Sequence, residues 1–447
     1  MNINYEFETI TAIATPLGMG GVGIVRISGD KAFEIAKKIF SGSITKGKIC
    51  HGWIVDNDKK IDEVVVLPFK SPNSYTGEDV IEIQGHGGIK VVKKILALVL
   101  KNGARMAEKG EFTKRAFLNH KMDLSQAEAV LDLIHAKTEN FAQKSANNLS
   151  GVLAKEIENI KKDIFELMSK IIAAVDFPED VEEPSYSYIV DELTKNMSRI
   201  DKILDCAKNS NIMRQGLKIA IAGCPNVGKS SLFNVLLNLE RAIVTDIPGT
   251  TRDVIQETID INGIPVTLID TAGIRDNADI DKVESIGIEY TKKCVEEADL
   301  ILFLYDISKG YTVQDEEIYK LVKDKLHLKI AAKSDIESTL NPDTKDALKI
   351  SSKKGFNIDI LKNKITNIVL DKNSTETEFT TNRRQEACLK NAKHALKNAL
   401  CAAENYEIQD LISIDIKTAL LNLSEITGEV ITDDILNNIF DNFCIGK

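Results

Sequence analysis

The sequence predicts an α/β multidomain chain: an N-terminal α+β domain, a helical domain, and a P-loop nucleotide-binding domain inserted into the helical one. Three observations carry this. Residues 217–237 read as apolar strand, glycine loop and helix in that order, which is the context a phosphate-binding loop needs. Helical periodicity flanks that unit on both sides, at 124–208 and again at 382–440. The first 120 residues or so mix strand-like runs with helical spacing.

Taken in order, residues 10–14, 22–27 and 64–67 are strand candidates, and 31–40 and 88–101 have helical spacing. The glycine run at 18–23 resembles a dinucleotide fingerprint, yet it leads into a strand where that fingerprint requires a helix, so a glycine turn between strands is the better reading. From Leu124 to about Val175 the pattern is helical. Ile157, Ile160, Ile164, Leu167 and Ile171 alternate steps of three and four, the seam of a helix packed on a helix. Pro178 and Pro184 break it, and a further helical segment covers about 189–208. The nucleotide domain spans about 216–370, a polar linker follows at 371–378, and helix returns over 382–405 and 410–440. The expected domains are 1–120, 121–215 with 371–447, and 216–370.

At 447 residues the chain has room for two to four such domains. Its 43% hydrophobic and 28% charged content is that of an ordinary soluble protein. Seven cysteines, odd in number and without close pairs, fit reduced thiols in a cytoplasmic protein. The acidic N-terminus lacks the form of a signal peptide, and no apolar run approaches the ~20 residues of a membrane span. A net charge of −10 disfavours indiscriminate nucleic-acid binding, while leaving room for a local basic face that holds an RNA.

The phosphate-loop residues are Gly223 to Ser230. Glycines at 223 and 228 let backbone N–H groups, here those of Asn226, Val227 and Gly228, face phosphate oxygens, and the helix N-terminus at Ser230 and Ser231 adds its dipole. Lys229 is expected to reach the β- and γ-phosphates, and the Ser230 hydroxyl to ligate Mg²⁺. Downstream, Gly249, Thr250 and Thr251 lie in a polar loop where a switch threonine, Thr251, meets Mg²⁺. Asp270, Thr271, Ala272 and Gly273 end an apolar strand, with Asp270 placed to hold Mg²⁺ through water and the Gly273 N–H to face the γ-phosphate. Two buried strands later come Lys333, Ser334 and Asp335, and then Ser351, Ser352 and Lys353. A carboxylate such as Asp335 accepts two hydrogen bonds from guanine N1–H and its exocyclic amine, which adenine cannot offer. Each short piece is weak alone. The ordered set points to a guanine-nucleotide hydrolase.

Two positions depart from the small-GTPase pattern. Ala332 stands where an asparagine amide would tie the base loop to the phosphate loop, so guanine selectivity rests on Asp335 and affinity is open to being weak. Restoring asparagine is expected to add about one hydrogen bond, roughly 0.5–1.5 kcal/mol. Ile274 stands where a water-orienting glutamine is usual, and isoleucine cannot orient water. Glu284 is the nearest acid, though its spacing fits a solvated helix residue equally well.

Long stretches outside these motifs are similar to the bacterial and organellar tRNA modification GTPase family MnmE (TrmE): residues 14–26, 71–80, 82–88, 110–119, 121–128 and the closing Phe443-Cys-Ile-Gly-Lys447. The resemblance covers essentially the whole chain. It implies an N-terminal folate-binding and dimerising domain, a helical domain, and an inserted G domain. It implies a cytoplasmic homodimer working with the flavoprotein MnmG (GidA), in a heterotetramer or larger complex. The implied reaction installs a carboxymethylaminomethyl-type group on C5 of a tRNA wobble uridine, from 5-formyl- or methylene-tetrahydrofolate. By matching position, Arg26, Glu82, Lys121 and Lys447 would line the folate pocket, which suits a ligand carrying carboxylates and pterin N–H donors. Cys444 is the near-terminal cysteine, for which a chemical role and a packing role are both open.

The resemblance further implies a K⁺ ion held by the Asn226 side chain and by Thr245, Ile247 and Thr250, within a nucleotide-contacting loop that includes Asp246 and Pro248. Such an ion stabilises charge that an arginine finger would otherwise meet. G domains would pair across the dimer, with Glu284 as the water-orienting acid. Two other readings remain: a GTP-dependent ribosome or RNA assembly factor, and a GTP-binding scaffold without turnover. Folate binding separates the first from the family reading.

Overall fold

The computed structural model describes residues 8–239, 256–270, 293–336, 346–369 and 377–447. The chain divides into two compact units, one of Met1–Leu131, Asn148–Phe165 and Lys417–Lys447, the other of Asp132–Asn147 and Glu166–Ile416.

The first unit is built on β1 (Ile10–Ile13), β2 (Gly23–Ser28), α1 (Ala32–Ile39), β3 (Cys50–Asp56), β4 (Lys59–Phe69), β5 (Val80–Gly85), α2 (Ile89–Lys101), β6 (Arg105–Met106) and α3 (Glu111–Leu118). The sheet order is β3-β4-β5-β2-β1-β6, antiparallel except where β6 joins β1. Side chains alternate across it. Val25, Ile27, Ile81 and Ile83 face α1 and α2, where Phe33, Ile35, Ile39, Val92, Ile95 and Val99 complete an apolar layer. The opposite face carries Ala12, Arg26, Glu82 and Leu67 in one cross-strand row. Here Ile10 and Ala12 pack with Phe112 of α3. Arg115, 1% exposed, locks α3 down through Glu78, Glu111 and the Glu8 carbonyl. Sequence patterning found β1, β2, part of β4, α1 and α2; it did not find β3, β5 or β6.

The helical stretch from Leu124 is three helices, α4 (Leu124–Ile134), α5 (Glu139–Leu149) and α6 (Val152–Asp176). Every residue of the predicted α6 seam is at most 1% exposed. α7 (Tyr186–Gln215) runs longer than its apolar pattern and stops at Gly216. The left-handed φ of +81 suits only glycine there, and a Cβ would meet Pro265 O at 2.7 Å.

The second unit contains β7 (Leu217–Gly223), α8 (Lys229–Leu239), β8 (Gln256–Ile261), β9 (Ile264–Asp270), β10 (Leu300–Asp306), α9 (Val313–Val322), β11 (His327–Ala332), β12 (Leu348–Lys349) and α10 (Ile358–Val369). The order β12-β11-β10-β7-β9-β8 is parallel except at β8. Both faces are covered, so β10 reads as an unbroken apolar run. Strand order reverses around β7, and open α/β sheets bind ligands at the carboxyl ends of strands beside such a switch. After the sheet, α11 (Arg383–Glu404) begins with a capping box between Asn382 and Gln385. It pairs with α7, as in the Asn211–Glu386 hydrogen bond of 3.1 Å. The nucleotide domain is thus an insertion between two packed helices.

The chain closes with α12 (Gln409–Thr427), α13 (Asp433–Phe440) and a short tail. Leu436, Phe440 and Phe443 pack with Leu124, Ala127 and Val130. Ile445 forms a bridge with Lys109, and the Gly110 N–H donates to Cys444 O at 3.4 Å. The C-terminal tail therefore lies on the N-terminal domain of its own chain.

Candidate functional site

The phosphate loop follows directly from local constraint. At Gly223, φ is +152 and a Cβ would stand 2.2 Å from Leu304 O; Gly228 has φ +111. Asn226 also adopts the left-handed region, φ +65, which asparagine tolerates better than most residues. The loop curls so that Lys229 Nζ donates to its own Gly223 and Cys224 carbonyls, at 2.8 and 2.9 Å. The ammonium is thereby centred over the loop whose N–H groups it must work with. Ser230 and Ser231 open α8 and are exposed. Cys224 is buried; burial, then the neighbouring Asp315 carboxylate, push its thiol up to about 12. It stays protonated.

Ile221 pairs with Asp270 across β7 and β9, which sets the end of β9 beside the loop. Asp306 lies opposite Ala332 across β10 and β11. The base loop leaves β11 at Lys333, and its Ser334 N–H donates to Ile350 O at 3.0 Å. Asp335 accepts 2.6 Å from the buried Ser351 hydroxyl. That bond, aided by Lys354 and Lys353, holds its carboxyl below the ordinary aspartate value. An ionised, oriented Asp335 is what recognition of two guanine N–H donors requires. Ser352, half-buried, and Lys353, exposed, follow in the turn after Ser351. The structure thus brings the phosphate loop and base loop together at the carboxyl end of the sheet. Lys333 Nζ links them, donating to Asn226 O and Asp306 Oδ2, each at 2.7 Å. Sequence reasoning missed Asp306, whose mark was an acid closing a wholly apolar strand.

Thr245, Asp246, Ile247, Pro248, Gly249, Thr250 and Thr251 lie outside the described residues, as do Thr271, Ala272, Gly273 and Glu284.

On the polar face of the N-terminal sheet, Arg26 Nε and Nη2 both contact Glu82 Oε1 at 2.9 Å. The guanidinium lies 5.3 Å from the Tyr75 ring centroid and 5.5 Å from that of Phe112. Tyr75 is fixed by its 2.9 Å hydrogen bond with Thr113, and burial raises its phenol above the usual value against the opposing effects of Thr113 and Arg26. Side-chain exposures of 15% and 16% shield the Arg26–Glu82 pair without sealing it. One carboxylate oxygen, Oε1, takes both arginine contacts. Lys121 Nζ donates to Pro72 O at 3.0 Å. Gly446 packs so closely on Ile13 that a Cβ would stand 2.3 Å from its carbonyl oxygen, and Ile13 pairs with Val25, one residue from Arg26. Lys447 is half-buried and donates its N–H to Cys444 O at 3.3 Å; Cys444 is exposed.

A family profile described as the MnmE helical domain matches residues 124–444, and one described as the GTP-binding protein TrmE N-terminus matches 9–121. The tRNA modification GTPase MnmE of Thermoanaerobacter pseudethanolicus is 46% identical over 460 aligned positions, spanning 99% of this chain and 100% of that protein. Its counterpart in Clostridioides difficile is 44% identical, over 98% and 99% of the two chains. Among solved structures, Aquifex aeolicus Era bound to GDP·AlF₄⁻ is 29% identical over 40% of this chain and 66% of that one, with a TM-score of 0.28. The weight rests on the end-to-end sequence relationship, and by it the chain belongs to the tRNA modification GTPase MnmE family.

Proposed function

We propose that this chain is a GTP hydrolase that, with the flavoprotein MnmG (GidA), adds a carboxymethylaminomethyl-type group to C5 of the wobble uridine of certain tRNAs. The observation that supports this best is the full-length relationship to proteins named for tRNA modification and GTP hydrolysis, in a chain that sets Lys229 and Asp335 at the carboxyl end of one sheet. In this reading GTP lies between those residues. Ser230 and Thr251 would ligate Mg²⁺, Asp270 would hold its water, and Glu284 would orient the attacking water. K⁺ would be held by the Asn226 side chain with Thr245, Ile247 and Thr250, and would supply positive charge at the phosphates.

A tetrahydrofolate derivative supplies the one-carbon unit. The Arg26–Glu82 pair suits it chemically: Glu82 Oε2 accepts from a pterin N–H edge, the aromatic pair of Tyr75 and Phe112 borders a flat ring, and Lys121 and Lys447 meet its carboxylates. The protein acts as a cytoplasmic homodimer. Among the described residues, no helix is long and apolar enough to cross a membrane. Mass spectrometry of wobble nucleosides from cells lacking the protein tests the reading. Loss of the C5-modified uridines, restored by the intact gene, is expected; an unchanged nucleoside profile would defeat it. Binding of 5-formyltetrahydrofolate separates it from a ribosome or RNA assembly factor, which needs no one-carbon donor.

A further inference from the structure

Ala332 removes the amide that would tie the base loop to the phosphate loop. The residue is 2% exposed at the end of β11, and its methyl faces the glycine of the phosphate loop. A Cβ built on Gly228 would have only Ala332 Cβ near it, at 4.0 Å. The side chain at position 332 therefore offers no polar link to the phosphate loop.

The next residue supplies the link. Lys333 has φ +61, a conformation uncommon for a non-glycine residue. Its Nζ donates to the Asn226 carbonyl oxygen and to Asp306 Oδ2. A lysine stem has four rotatable bonds and a strongly hydrated head, so at 32% side-chain exposure one backbone acceptor would hold it poorly. Asp306 is the second acceptor and the rigid one. Its side chain is 5% exposed, and its other oxygen, Oδ1, accepts from Ser308 N and Ser308 Oγ at 3.0 and 2.6 Å. Burial acts to raise the Asp306 carboxyl; hydrogen bonds from Lys333 and Ser308 outweigh it and hold the group below the ordinary aspartate value. The carboxylate is ionised, oriented, and aimed at Lys333.

We infer that Asp306 is a positioning residue for guanine-nucleotide binding: through Lys333 it clamps the base loop onto the backbone of Asn226 and stands in for the asparagine that this chain lacks. The inference rests on the proposed reading of the nucleotide site. It also joins base recognition to Asn226, whose side chain is the proposed K⁺ ligand.

The test is a double-mutant cycle on the full-length protein, read as the Kd of a fluorescent N-methylanthraniloyl GDP together with the melting temperature. Asp306→Asn should raise Kd about tenfold, and Ala332→Asn alone should change it less than about twofold, short of the full hydrogen-bond gain the sequence suggests, because Lys333 already ties the loops. Added to Asp306→Asn, Ala332→Asn should recover most of the loss, because the amide re-ties the loops by the other route. A merely structural role would lower the melting temperature and would not be rescued from position 332. Unchanged affinity in Asp306→Asn would overturn the inference, as would an equal gain from Ala332→Asn in both backgrounds. If Asp306→Asn does not fold, Ser308→Ala carries the same cycle, with an expected loss of about twofold to threefold. Failure of the unaltered protein to bind the guanine probe would overturn the nucleotide reading itself, and the positioning role with it.

Discussion

Ser351 Oγ donates a 2.6 Å hydrogen bond to Asp335 Oδ1. In the proposed nucleotide site this carboxylate faces two guanine N–H groups, and it loses orientation without that bond. Ser351→Ala should weaken GDP binding by about threefold to tenfold while preserving preference for guanine over adenine, as measured by calorimetry with both nucleotides. The pH dependence follows from the same bond. Because the folded Asp335 carboxyl lies below its ordinary value of 3.8, its contribution is full above that value and is lost as pH falls through the folded one. Ser351→Ala should move that loss to higher pH.

The proposed cation site gives a second expectation. GTP turnover should need Mg²⁺ and run much faster in K⁺ than in Na⁺ at equal ionic strength. Glu284→Ala should keep nucleotide binding and slow turnover by about 10²-fold or more, the usual effect of losing a positioned catalytic group. Equal rates in the two salts would remove the cation from the mechanism.

Gly446 has φ +101 and lies against the Ile13 carbonyl. Gly446→Val should therefore dislodge the tail, at a local cost of about 1–3 kcal/mol. Tritiated 5-formyltetrahydrofolate binding should fall, and so should wobble-uridine modification in cells. Deleting Cys444 to Lys447 should do the same. K⁺-stimulated GTP hydrolysis should stay near normal in both. A truncated protein that still restores modification in a deletion strain would defeat a pocket shared by Arg26 and Lys447.

Glu82→Gln keeps the size of the side chain while removing its charge. It should weaken folate binding by roughly tenfold or more and leave GTP turnover unaltered. Folate affinity equal to that of the parent protein would exclude the carboxylate as the pterin acceptor.

Local sequence carried the nucleotide domain well, because β7, its glycine loop and α8 are specified within some twenty consecutive positions, and the buried strands of a parallel sheet read as plain apolar runs. The α6 seam was equally legible, since its period is helical and its residues are all buried. Strand β3 was not. Its sequence, Cys-His-Gly-Trp-Ile-Val-Asp, mixes buried and exposed positions at a sheet edge, so alternation is lost. The Arg26–Glu82 pair was reachable only through resemblance, since its partners are 56 residues apart and are joined by register between β2 and β5. The clamp made by Lys333 left still less trace. A lysine that bonds to a backbone carbonyl imposes no residue type at the acceptor, so Asn226 gives no sign of it.

The distribution of thiols has a practical consequence. Five cysteines are buried, and only Cys401 and Cys444 are exposed. A maleimide dye reacts with thiolates at the surface, so it should label those two and spare the protonated Cys224 inside the phosphate loop. With Cys401→Ser, a single dye would sit on the tail beside the proposed folate pocket. Its emission would then report tail docking in the native enzyme while the GTP site stays chemically untouched.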